Sequence, residues 1–198
     1  QAAEAEAAVR RRRALVQQDL VQVDAALAEV SAMLMRTREF RKASISLSTL
    51  PSRMQTDEGR LAAGWVRDMA DRLEQFKTQL IQRIDVLPYR REDGSDLGGD
   101  VISASTLGVR VSLDGRSLST RNWEAIPVRS IVKMAEFYAQ QTRFSEQERA
   151  ELLTSLAVFC LVNGAFEPAT NYARQAVALR PEAAAEVRRL LAGLYRDA

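Results

Sequence analysis

Asp93, Asp96 and Asp100, in the run PYRREDGSDLGGD, come nearest in this sequence to a cluster that could do chemistry. Carboxylates so close together offer the hard oxygen ligands that calcium takes, and the glycines beside them supply turns. Their spacing is not that of the calcium-loop motif, and no glutamate closes the set at the required position. A solvated, turn-rich loop accounts for the same residues. Gly98-Gly99 is not a phosphate cradle either: no lysine and hydroxyl follow it, and it leads into a strand rather than onto a helix N-terminus. No metal ligand set and no cofactor site is expected.

Arg10 to Arg13 could contact nucleic acid or an acidic lipid surface. Four consecutive arginines, however, point all round a helix rather than along one stripe. The chain carries 28 basic against 26 acidic side chains, a net charge of +2, so no global field draws a polyanion. A solvated helix end is the expectation, with no nucleic-acid partner.

Nucleophilic chemistry finds little support. The sequence contains no histidine, which removes the commonest general base and the relays built on it. The one cysteine, Cys160, shares an apolar helix face with Leu153, Leu156 and Ala157. A thiol placed there is desolvated and inert. Nucleophile-elbow and kinase motifs are absent. The carboxylates mostly alternate with Arg and Lys at helical spacing, a pattern of exposed ion pairs. No catalytic residue is assigned, and the chain is not expected to be an enzyme.

What the elements must position is therefore a surface. At 198 residues, 46% hydrophobic and 27% charged, the composition is that of a globular protein able to bury a core. Residues 1–40 read as one long helix in which Val9, Val16, Val23 and Val30 repeat every seven residues and Leu20, Leu27 and Leu34 interleave. Residues 41–57 mix Ser, Thr and Pro and read as a loop, with an extended piece near Ile45 to Leu47. Thr56 caps a second long helix over 57–87, where Val66, Leu73, Leu80 and Leu87 recur at seven with Met69 and Phe76 between. The two heptad helices are expected to form an antiparallel, coiled-coil-like hairpin, with Val16, Leu20, Val23 and Leu27 facing Leu73, Phe76 and Leu80. Completion of that seam by another chain would make a homo-oligomer.

Residues 88–100 read as a linker. Residues 101–126 read as a meander unit in which, from Val101 to Thr120, the period changes to two: Val109, Val111 and Leu113 alternate with Arg110 and Ser112, and Asp114-Gly115 marks a hairpin turn. A three-stranded meander follows from this, plugged by Trp123 and Ile126. Residues 127–198 read as a helical array. Pro127 opens a helix to about Gln141 with Ile131, Met134, Ala135 and Tyr138 inward, and a last helix over 182–196 turns Val187, Leu190, Leu191 and Leu194 to one side. The fold class is mostly α with a small β meander.

Within the array, Ser145 and Glu148 form a capping box, Asn163-Gly164 ends a helix, and Pro168 lies in the first turn of the next. The order Leu153, Leu156, Ala157, Gly164, Ala169, Ala173, Ala176, Pro181 resembles one tetratricopeptide repeat over about 150–181, with Cys160 where an aromatic is commoner. The resemblance implies a helical hairpin that presents its faces to a protein or peptide. Meander, Trp-x-x-Ile segment and array together are similar to regions of uncharacterised bacterial envelope and signalling proteins.

The expected function is a noncatalytic protein-interaction or scaffold module, binding through Asn163, Asn171, Tyr172 and Arg174. The alternative is a regulatory, extracytoplasmic segment of a larger membrane-anchored bacterial signalling protein, such as a Ser/Thr kinase, acting through oligomerisation of the long helix. A start at Gln1 without Met favours a processed, periplasmic or extracytoplasmic product. No apolar run approaches the ~18 residues of a membrane span, so membrane contact would need a segment outside this chain.

Overall fold

A computed structural model of the chain describes residues 2–90, 97–113 and 115–192. Its spine is helix α4 (Asp57–Val86), whose Ala63, Val66, Met69, Ala70, Leu73, Phe76, Leu80 and Ile84 are all buried. Thr56 caps it as expected, its hydroxyl accepting from the Gly59 N–H at 3.0 Å. Helix α1 (Ala2–Met35) precedes it, followed by two short helices, α2 (Phe40–Leu47) and α3 (Leu50–Arg53).

These short helices correct the expected loop over 41–57 and the extended piece at Ile45 to Leu47. Phe40, Ala43, Leu47, Leu50 and Met54 are buried at alternating spacings of three and four, the signature of a helix lying on a neighbour. The helical path breaks only at Ser48-Thr49, between α2 and α3, and Ser48 and Ser52 turn their hydroxyls back onto the Ile45 and Thr49 carbonyls. Helix α1 stops at Met35 rather than near 40, where Arg38 takes a left-handed conformation (φ 55) and the Glu39 N–H bonds back to the Met33 carbonyl at 2.9 Å.

The return through α2 and α3 also changes how the long helices pair. Ser44 on α2 meets Asp71, while Arg60 near the start of α4 donates to the Met54 carbonyl, so α2 and α3 run antiparallel to α4. Asp19 of α1 meets Gln55 and Thr56, while Lys77 reaches the Arg38 carbonyl at 3.1 Å. Contacts that advance together on both helices mean that α1 and α4 run parallel. The expected reversal therefore comes one element early. Leu73, Phe76 and Leu80 do not face Val16 to Leu27. Phe76 stacks instead on Phe159 of helix α6 (Glu146–Val162), with ring centroids 5.0 Å apart.

The sheet is the expected meander, β1 (Asp100–Ala104), β2 (Gly108–Ser112) and β3 (Leu118–Asn122), antiparallel in the order β1-β2-β3. Val109 and Val111 are buried and Arg110 is exposed, as the alternation requires, but Ser112, expected to alternate outward with Arg110, is buried. Leu113 is 44% exposed because the strand ends at Ser112, whose hydroxyl accepts from the Gly115 N–H. Asp114 of the expected turn lies outside the described residues, as do Asp93 and Asp96. Tyr89, within 88–100, is fully buried and bridges Val101 through paired backbone hydrogen bonds of 3.0 and 2.8 Å. Trp123 and Ile126 are buried as plugs; the Trp123 indole donates to the Ser105 carbonyl at 2.8 Å.

The array comprises α5 (Val128–Gln140), α6, α7 (Phe166–Leu179) and α8 (Ala184–Ala192). Ile131, Met134, Ala135 and Tyr138 point inward, and both halves of the Ser145/Glu148 capping box form. Residues 152–161 of α6 are buried on every side, so α6 is enclosed rather than amphipathic. Helix α8 packs Val187 and Leu190 onto the body, and the Trp65 indole donates to the Leu190 carbonyl at 2.9 Å. Leu194 lies outside the described residues.

Candidate protein-interaction surfaces

The four residues chosen from sequence divide into two pairs. Asn163 ends α6: its side-chain amide donates to the Phe159 carbonyl at 2.8 Å, and Gly164 beyond it has φ 75. Tyr172 is buried, and its hydroxyl donates to the Glu136 carboxylate of α5. Burial, and then that hydrogen bond, push the Tyr172 hydroxyl far above its usual range. It is a packing residue that ties α7 to α5. Asn171 and Arg174 are exposed and touch each other at 3.5 Å. They are the part of the proposed set that faces solvent.

Cys160 is 1% exposed, and its thiol is pushed up to about 12, first by desolvation and then by Glu136. A thiolate is disfavoured there, in keeping with the inert reading. Among the described residues no group of three or more His, Cys, Asp or Glu side chains could hold a metal ion, and no helix is long and apolar enough to cross a membrane. Arg10 to Arg13 are exposed, with Arg12 bound to Glu58 at 2.7 Å.

Two concave surfaces stand out. A polar cleft of 470 Å³ lies between α4, α6 and the turn before α8, where Glu186 bridges Arg72 and Arg180. Arg180 also meets Glu151 at 3.4 Å, so Arg72, Glu151, Arg180 and Glu186 form one network of ion pairs. The second is an apolar groove of 870 Å³ between α1 and α4, closed at one end by Arg189 and Leu190 of α8. Val16, Leu20 and Leu27 form one wall and Leu61 and Trp65 the other. Leu61 is 70% exposed, and Val16, Leu20, Leu27 and Trp65 are only half-buried.

The groove exists because Val23 and Val66 pack at its floor while the residues flanking them face outward. Its α1 wall is legible in the sequence as the heptad stripe. Its α4 wall is not, because Leu61 falls outside the run of Val66, Leu73 and Leu80. Asp19 sets the relation of the two walls. Its carboxylate, buried within α1, accepts from the Thr56 N–H at 2.7 Å and the Thr56 hydroxyl at 2.6 Å. These bonds, the Thr56 hydroxyl foremost, hold it below the usual carboxylate range. Gly59 admits it, since a Cβ there would lie 2.4 Å from an Asp19 oxygen.

Compared with protein-family models, curated proteins and solved structures, the chain matches none.

Proposed function

We propose that this chain is a noncatalytic protein-interaction module whose principal docking surface is the groove between α1 and α4. The observation that carries the reading is the groove itself: two parallel helices whose apolar side chains line an open channel. An open channel lined by apolar side chains of two helices is the kind of surface that receives an amphipathic helix, with anchors at i, i+3, i+4 and i+7 of the bound helix. The surface around Asn171 and Arg174 is a second place for contact, polar and on the far side of the α6–α7 hairpin. A regulatory role within a larger signalling protein is compatible with a groove on the N-terminal helices.

The test is selection of amphipathic helical peptides from a displayed library, with Trp65 fluorescence reading the binding of each selected peptide. Helices with an apolar stripe should be enriched, and their binding should fall at least tenfold for Leu61→Glu, a change at an exposed position. Enriched peptides that bind Leu61→Glu equally well, or no enrichment at all, would overturn the proposal.

A further inference from the structure

The first half of α1 is a helix with almost nothing to lean on. Residues 3–15 are exposed apart from half-buried Ala7, so about four turns of helix bury almost no surface, with the Arg12–Glu58 ion pair their tie to α4. A helix of that length is marginal in water unless a packed face supports it. It carries the same heptad as the rest of α1: Val9, 51% exposed, continues the line of Val16 and Val23. The structure thus holds a sparsely supported apolar stripe and, one turn further along the same helix, an open apolar groove.

Charge decides what fills it. Arg11 and Arg13 make no ion pair among the described residues, and Arg10 has only a long 3.9 Å contact with exposed Glu6. Asp24, on the groove wall, is likewise unpaired. The arginines Arg60, Arg67 and Arg189 at the rim are already bound to Asp57 and Asp68. Arg12 is held by Glu58, so unpaired Arg11 and Arg13, loosely held Arg10 and unpaired Asp24 lie on one helix, about two turns either side of its Val16–Leu20 midpoint.

We infer that the occupant is a second copy of this chain. Two α1 helices pair antiparallel about a two-fold axis near residue 18, each arm lying in the groove of the other subunit. In that register Val9 meets the partner's Leu27, Val16 meets the partner's Leu20, and Arg10 approaches the partner's Asp24. Positions separated by alternating threes and fours interlock in this way in antiparallel helix pairs. A parallel pairing would stack the two arginine blocks on one another and is disfavoured. The inference rests on the groove being a docking surface, and it names the partner.

The experiment uses the whole chain. Sedimentation equilibrium should give a dimer, and Arg10→Asp or Asp24→Arg should each weaken association about tenfold, since every reversal acts at two symmetric contacts. Both positions are exposed, so circular dichroism should show each variant folded like wild type. The double variant Arg10→Asp, Asp24→Arg should recover most of the loss. Direction is read by disulfide cross-linking: Val9→Cys chains mixed with Leu27→Cys chains should join to each other and not to themselves. A monomer at every concentration overturns the inference, as does Val9→Cys joining to itself or a double variant no better than the singles. If the chain stays monomeric yet still binds selected helical peptides, the pairing fails and the interaction function stands. If neither occurs, both fall.

Discussion

The Asp19 carboxylate of α1 accepts two hydrogen bonds from Thr56, one from its backbone N–H and one from its hydroxyl, while Thr56 caps α4. One acidic side chain thus joins the start of α4 to the second turn beyond the arm of α1. It stands where a bound anion would stand, at the positive end of a helix.

Asp19 has its carboxyl lowered in the folded state. A lowered folded value means stabilisation that is present above the ordinary carboxylate range and lost as pH falls through and below it. Denaturation of wild type should therefore show a steeper loss of stability below about pH 4 than Asp19→Asn. Parallel acid limbs for the two proteins would show that the bond contributes nothing.

Gly164 has φ 75, with open space where a Cβ would sit. Substitution by alanine meets no clash, only the cost of a left-handed backbone, about 1 kcal/mol. Urea melts of Gly164→Ala should show that loss, with an unchanged slope.

Cys160 should resist a thiol reagent in the native protein and react at once in denaturant, because its thiol is buried and pushed up to about 12. Cys160→Ala should cost about 1 kcal/mol, the scale of a small core truncation. Fast native labelling would place the thiol elsewhere.

Phe76 and Phe159 join α4 to the enclosed helix α6. Phe76→Ala should destabilise the protein by about 3–5 kcal/mol, and a double-mutant cycle with Phe159→Ala should return a coupling of about 1 kcal/mol. Additive losses would mean that the stacked rings contribute only through their separate burial.

Sequence alone determined the elements whose causes are local. Thr56, Ser145 with Glu148, and Gly164 set helix ends through bonds within one turn, and Val109 and Val111 set a strand face through its two-residue period. It also determined the heptad stripe of α1 that became one wall of the groove. The tertiary structure alone decided the direction of α4 against α1. A stripe of valines and leucines packs equally well against a helix running either way, so direction fell to Phe40, Ala43, Leu47, Leu50 and Met54, which carry the chain back before α4 begins. It likewise separated Tyr172 from Asn171. Neighbours on a helix point about 100° apart, and only the position of Glu136 on another helix turned one inward and left the other in solvent.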